Sequence, residues 1–247
     1  MRVLIGIDDT DNPTTGGSAI LARELGAMLH ETGLARVQSV TRHQLCPSPA
    51  IHRTTSNAAA CLLVHVLSDY YYDLCPVCEK HIKEFSAPKA NAGLCVVLWD
   101  IVSDEVVDFG QKAKRRQVQL EEAQALAAAQ KIDLKAITGS GNGVIGALAA
   151  VGLRKGSNDG RFVWLPGLRD LPVHTYTVAD LCQRIHVDEV RSHRGTPLNP
   201  DETVYTGDWL RPILIGGKAV LFVAEAPEGA PYQWVLLDKA LVKELGS

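Results

Sequence analysis

Val3-Leu4-Ile5-Gly6-Ile7-Asp8-Asp9-Thr10-Asp11 is the stretch on which the reading of this chain turns. A short apolar run, closed by Asn12-Pro13 and Gly16-Gly17, reads as a buried strand entering a tight turn. Carboxylates crowded at a strand exit repel one another unless a cation or dense hydrogen bonding neutralises them. Mg²⁺ suits such a place, because it takes few carboxylates and completes its shell with water and phosphate oxygens. A solvated turn in which Asp11 caps the next helix is the competing reading. An EF-hand is excluded, since its glycine and distal glutamate are missing.

Working outward, Ser18 to Thr32 carries Ile20, Leu21, Leu25, Met28 and Leu29 at helical spacing, and Gly33 stops it. Val37 to Thr41 and Ala59 to Leu67 read as strands. Tyr70 to Phe85 reads as a helix interrupted near Pro76, and Leu94 to Ile101 as a fourth strand. This order, βαββαβ, predicts an α/β (α+β) ferredoxin-like core. Gln111 to Gln130 is expected as one long helix. Leu134 to Thr138 is expected as a short strand entering Gly139-Ser140-Gly141-Asn142-Gly143, with a small-residue helix from Val144 to Gly152. Lys155 to Gly160 marks a boundary between residues 1–155 and 156–247. In the second part, Ile213 to Ile215, Ala219 to Ala224 and Tyr232 to Leu237 are expected as a small antiparallel segment with a C-terminal helix, packed on the first part as an accessory or second ferredoxin-like unit.

Composition bounds the function. The chain has 247 residues, a formal net charge of -3 and ordinary hydrophobic content of 46%. No global basic field advertises nucleic-acid binding. No apolar run approaches the ~20 residues that span a bilayer. No signal-peptide pattern precedes the first strand, so a cytoplasmic protein is expected. Six cysteines then read as reduced thiols or metal ligands rather than a disulfide framework.

Several constellations can carry chemistry. Gly141, Asn142 and Gly143 stand between a strand and a helix, where backbone N–H groups can hold phosphate. The spacing is neither a Walker A motif nor a Rossmann fingerprint, and a turn allowing close helix–sheet approach explains it equally. Ser18 is either a helix cap or a phosphoryl acceptor beside the aspartates. His43, Cys46, His52 and Arg53 are expected in a loop between strands, exposed or presented to a ligand. Cys75-Pro76-Val77-Cys78, with His81, is half a zinc signature, which Cys46 or His43 would have to complete; buried thiols or a redox pair are the alternatives. Lys112, Lys114, Arg115 and Arg116 read as a solvated basic helix face.

Taken together, four segments resemble the catalytic region of the agmatinylcytidine synthases that modify an isoleucine tRNA. They are Gly6 to Asp11 with its glycine turn, Arg53-Thr54-Thr55-Ser56-Asn57-Ala58-Ala59, Lys89-Ala90-Asn91-Ala92-Gly93, and Gly141 to Gly152, in the family's order. The resemblance implies a kinase-like, ATP- and Mg²⁺-dependent domain over residues 1–155 that activates a cytidine for displacement by an amine. It implies Asp8 and Asp9 as catalytic and, with Asp11, as Mg²⁺ ligands. Asn57, Lys89, Asn91, Gly141, Asn142 and Gly143 become nucleotide-binding residues, and either Ser18, which can replace the family's phosphorylated threonine, or Ala19, which cannot, aligns with it, depending on one gap. The family's Cys-Thr-Thr is here Ser18-Ala19-Ile20, the chain ends where the family continues into an OB-fold and a zinc ribbon, and the CxxC segment is an insertion. The expectation is thus an ATP- and Mg²⁺-dependent phosphotransferase or ligase-like protein that binds RNA weakly by itself, with a partner protein as another route to RNA. Against it stands a non-catalytic nucleotide- or RNA-binding module. Zinc at Cys75 and Cys78 is a separate expectation.

Overall fold

The computed structural model describes residues 1–12, 16–47 and 57–247. His52 and the Arg53 to Ser56 part of the second family segment lie outside these. The chain divides into two compact units, Met1–Gly156 and Ser157–Ser247.

In the first unit, β1 (Arg2–Asp8), α1 (Ser18–Glu31), β2 (Arg36–Gln44), β3 (Ala58–His65), α2 (Tyr71–Phe85) and β4 (Gly93–Leu98) follow in the expected order. The sheet runs β4-β1-β3-β2 with every pair antiparallel, the ferredoxin-like arrangement. A fifth strand, β5 (Asp133–Ala136), extends it by pairing with β4. The register places Gly6 between Cys61 of β3 and Cys95 of β4. Both faces of β1 are covered, so its run is apolar rather than alternating, with Val3, Leu4, Ile5 and Ile7 fully buried. Each such side chain contributes roughly 1.5–3 kcal/mol by leaving water.

Helix α1 buries Leu21, Ala22, Leu25 and Leu29 against β2 and β3, and Gly33, at φ +70, ends it as the turn signal predicts. On the opposite face α3 (Asp104–Arg115), α4 (Leu120–Ala129) and α5 (Gly143–Gly156) pack against Leu4, Ala59, Cys61, Leu63, Cys95 and Val97.

Two expectations need correcting. Pro76 does not interrupt α2, which runs unbroken. Pro76 is the sixth residue of the helix and forfeits one i→i−4 hydrogen bond, a loss that burial of Leu74, Cys75, Cys78 and Ile82 outweighs. The single helix from Gln111 to Gln130 is two helices, because Arg116 is extended (φ −149, ψ 165) and Val118 turns into the core. Burial of Val118, Ala123 and Ala127 against α5 outweighs the helix propensity of the segment.

The second unit is built around β11 (Lys218–Glu225). Val220 pairs with both Ile213 and Glu189, and Val223 with both Leu236 and Ser192. Strand β8 (Glu189–Ser192) therefore occupies one edge, while β10 (Ile213–Ile215) and β12 (Trp234–Leu236) share the other. Alternation along β11 sends Leu221 and Val223 to a core with α6 (Val178–Ile185), and Val220 and Phe222 to one with α7 (Lys239–Leu245). The hairpin at β10–β11 and the strand β12 are antiparallel as expected. The sheet is mixed, however: β8 runs parallel to β11, and β12 parallel to β9 (Thr203–Tyr205). Strands β6 (Arg161–Trp164), β7 (Thr175–Thr177), β8 and β9 are too short to carry a periodicity signal.

Candidate functional site

Strand β1 ends at Asp8, which pairs with Gly93, and the chain reverses there through Asp9 in the left-handed region (φ +54). Aspartate is one of the few residues that tolerates this backbone. The reversal buries Thr10 and Asp11, at 4% and 8% exposure. Thr10 donates its N–H and its hydroxyl to Ser18 Oγ (3.3 and 3.2 Å), at the first residue of α1. The Thr10 carbonyl accepts from Ala87 N at 2.9 Å. The acidic turn is thus stapled to α1 on one side and to the segment after α2 on the other.

Burial is the main force on Asp8 and pushes its carboxyl up to about 7; the neighbouring Asp9 and Asp11 add to this, while a hydrogen bond from the Asp9 backbone and the charge of Arg42 oppose it. Arg42, on β2, is itself lowered by burial, with Asp8 and Asp11 opposing the shift. An internal cation therefore faces the acidic turn.

A second loop pair closes on this turn. Asn91 Oδ1 accepts from Ser140 N and Ser140 Oγ (both 2.9 Å), and its carbonyl accepts from Gly143 N at 2.9 Å. Thr138 Oγ1 donates to Ala90 O (2.8 Å) and accepts from Ala92 N (2.9 Å). These bonds hold the glycine loop against the Lys89 to Gly93 segment. The first turn of α5 then lies directly on the sheet: a Cβ at Gly143 would stand 2.7 Å from the Asp8 carbonyl, and one at Gly146 would overlap the Asp8 carboxylate. Gly6 and Gly93 allow the same approach from the strands, meeting Ala147 and Gly143. Gly143 therefore serves close packing, and Gly141 (φ +72) serves the turn.

Beside these elements lies a cleft of about 370 Å³, lined by Asp9, Leu45, Asn57, Asn91, Ala113, Arg116, Gln117, Val118, Asn142 and Ile145. Its size suits a small ligand (~300–1,000 Å³). Of the residues singled out from sequence, Asp9, Asn57, Asn91 and Asn142 come together here. Asn57 also braces one wall, donating from Nδ2 to Cys46 O (2.8 Å) and accepting from Leu45 N (2.8 Å). Asp8, packed against Gly146, and Ser18, 2% exposed and bonded to Thr10, are not among the described lining residues. Lys89 is exposed at φ +68 and is not among the described lining residues. Sequence reasoning missed Leu45, Ala113, Arg116, Gln117, Val118 and Ile145, because most of them depend on the break between α3 and α4.

The cysteine segment gives a different picture. Cys75 and Cys78 are buried on α2 with free thiols. Burial pushes the Cys75 thiol up to about 12, helped by Asp133, and pushes Cys78 up as well, which opposes the thiolate a metal needs. His43 is not in a loop: it is fully buried within β2, bonded through Nε2 to Thr41 Oγ1 at 2.8 Å. Burial holds it well below its usual range, with Arg154 and Lys114 adding to the effect. Thr41 pairs with Cys61, on the α5 face, so His43 looks away from α2. Among the described residues, no group of three or more His, Cys, Asp or Glu is arranged to hold a metal ion. A Mg²⁺ ion takes only one or two carboxylates when phosphate supplies the rest, which leaves Asp8 and Asp9 as its candidate ligands.

No known family model matches the chain. An uncharacterized protein of Methanocaldococcus jannaschii is 35% identical over 152 residues, 62% of this chain and 50% of that protein. Among solved structures, apo TiaS, an isoleucine-tRNA agmatidine synthetase, is similar with a TM-score of 0.54 and 29% identity, over 62% of this chain and 35% of that one. Over this region the chain is similar to TiaS. TiaS bound to tRNA and ATP gives a TM-score of 0.55 at 30% identity, over 62% of this chain and 36% of that one. TiaS with tRNA, AMPCPP and agmatine gives 0.53 at 30%, over 61% and 36%. The chain spans about half of its curated relative and about a third of the TiaS chains. The α+β fold of the matched part, with its mostly antiparallel sheet, is similar to that of TiaS. Among the described residues, no helix is long and apolar enough to cross a membrane.

Proposed function

We propose that the first unit is a kinase-like domain that binds Mg²⁺-ATP in the cleft and serves phosphoryl transfer or a ligase-like activation. The observation that carries the reading is the meeting of Asp9, Asn57, Asn91 and Asn142 around one cleft with Asp8 adjacent. The likeness to TiaS bound to ATP supports it. Bound Mg²⁺-ATP would supply an activated phosphoryl group and charge neutralisation. Asp8 and Asp9 are then the metal-binding carboxylates, with Asp11 supporting the acidic turn. The amides of Asn57, Asn91 and Asn142 orient the nucleotide, with Gly141 and Gly143 shaping the loop and Lys89 at its margin. Ser18 is the acceptor hydroxyl in the catalytic form of this reading. RNA is a substrate class carried over from TiaS, bound weakly by this chain alone or through a partner protein in the cytoplasm.

A second reading is a nucleotide- or RNA-binding module without catalysis. The burial of Ser18 Oγ and its two bonds from Thr10 favour it, because a pinned hydroxyl has no path to phosphorus without rearrangement. The test is a thermal-shift and calorimetric panel of nucleotides with and without Mg²⁺. Selective binding raises apparent stability by ~2.7 kcal/mol at a hundredfold excess over Kd. Asp9→Asn, which keeps the left-handed backbone, should remove the Mg²⁺-dependent part of ATP binding while leaving the melting temperature of the free protein unchanged. Undiminished Mg²⁺-ATP affinity in that variant would sink the assignment. Transfer of labelled γ-phosphate separates the catalytic reading from the binding one.

A further inference from the structure

The break between α3 and α4 places a side chain that the proposed reading does not use. Residues 111–130 contain neither glycine nor proline, so nothing local requires the helix to stop. The break is held by tertiary contacts. Arg116 N donates to Lys112 O at 3.0 Å, Lys112 Nζ meets Glu122 across the corner, and Val118 is buried at 5% exposure. On the cleft side, Cys46 N donates to Ala113 O at 3.0 Å, tying the last turn of α3 to the segment after β2. These bonds fix the backbone on either side of Arg116, whose side chain lines the cleft.

We propose that Arg116 is the anion-binding group of the cleft and receives the outer phosphates of the nucleotide; this rests on the reading of the cleft as a nucleotide site. The charges lining the cleft lead there. Asp9 is its carboxylate, Asn57, Asn91, Gln117 and Asn142 are neutral amides, and Leu45, Ala113, Val118 and Ile145 are apolar. Arg116 is the cation among the described lining residues. A polyphosphate beside Asp8 and Asp9 needs positive charge beyond one Mg²⁺. The C-terminus of α3 offers carbonyls and the negative end of the helix dipole, which repel phosphate. The guanidinium must supply the attraction, and its planar fork matches phosphate oxygens two at a time.

The experiment measures Kd by calorimetry for ATP, adenosine and inorganic tripolyphosphate, on the full chain and on Arg116→Gln and Arg116→Lys. Arg116 is exposed, so both variants should keep the wild-type melting temperature. The expected result is a loss of about tenfold in ATP and tripolyphosphate affinity for Arg116→Gln, a smaller loss for Arg116→Lys, and no change for adenosine. ATP binding that is equal in wild type and Arg116→Gln overturns the inference and leaves the nucleotide reading standing. Tripolyphosphate binding that depends on Arg116, without ATP binding, keeps the anion site and overturns the nucleotide reading. Failure of the wild type to bind either phosphate compound overturns both.

Discussion

Gly146 lies so close to Asp8 that a Cβ on the glycine would overlap the Asp8 carboxylate. The acidic turn and the helix that follows the glycine loop, far apart in sequence, are thus parts of one surface. The close approach explains how Asp8 becomes buried enough for its carboxyl to rise to about 7.

Gly146→Ala should therefore injure the site rather than only the helix. Alanine favours helix by up to ~1 kcal/mol, but overpacking against Asp8 costs about 1–3 kcal/mol. A lower melting temperature is expected, together with lost Mg²⁺-ATP binding. Gly17→Ala, where a Cβ meets nothing within 4 Å, is the control and should change stability little. Equal melting curves for Gly146→Ala and wild type would contradict close packing of Gly146 on Asp8.

Asp8 sets a pH dependence. Between its ordinary value of 3.8 and about 7, the folded chain holds a proton that the unfolded chain has released. Stability of the free protein from this group must then fall as pH rises through that window. Asp8→Asn should remove this slope and be relatively more stable at pH 8 than at pH 5, as read by urea denaturation. Mg²⁺-ATP binding to the wild type should strengthen from pH 6 to pH 8, since the metal needs the ionised carboxylate. A pH-independent difference between the two proteins would rule this out.

Ser18→Ala removes the acceptor for both donors of Thr10. A buried donor left unpaired costs ~1–3 kcal/mol, so a fall of several degrees in melting temperature is expected. The same variant also tests the acceptor role: incubation with Mg²⁺-ATP followed by intact-mass analysis should show any phosphoryl group on wild type and none on Ser18→Ala. Phosphorylation persisting in the variant would remove Ser18 from the chemistry.

Binding of tRNA by this chain alone should be weak, in the ~10⁻⁴ to 10⁻⁶ M range at physiological salt, because phosphate contacts dominate such affinity. Its 25 basic residues are outnumbered by 28 acidic ones. Filter binding at ~150 mM salt is the measurement, and nanomolar, tRNA-selective binding would overturn the expectation.

The sequence by itself determined the ferredoxin-like core of the first unit. A strand as apolar as Val3 to Ile7 has to be covered on both faces, and the spacing of α1 and the turn at Gly33 are local chemistry. The acidic turn and the glycine loop were legible for the same reason, since aspartates and glycines announce unusual backbone or charge wherever they sit. Tertiary structure alone decided which of them meet. Asp9, Asn57, Asn91 and Asn142 share a cleft because glycines at 6, 93, 143 and 146 let α5 settle onto the sheet. His43 was withdrawn from the loop because β2 extends to Gln44 and buries it. Arg116 entered the site because burial of Val118 split a segment whose helix propensity favours continuity. Propensity is worth tenths of a kcal/mol per residue and burial of a valine up to several times that, so packing decides where the two conflict.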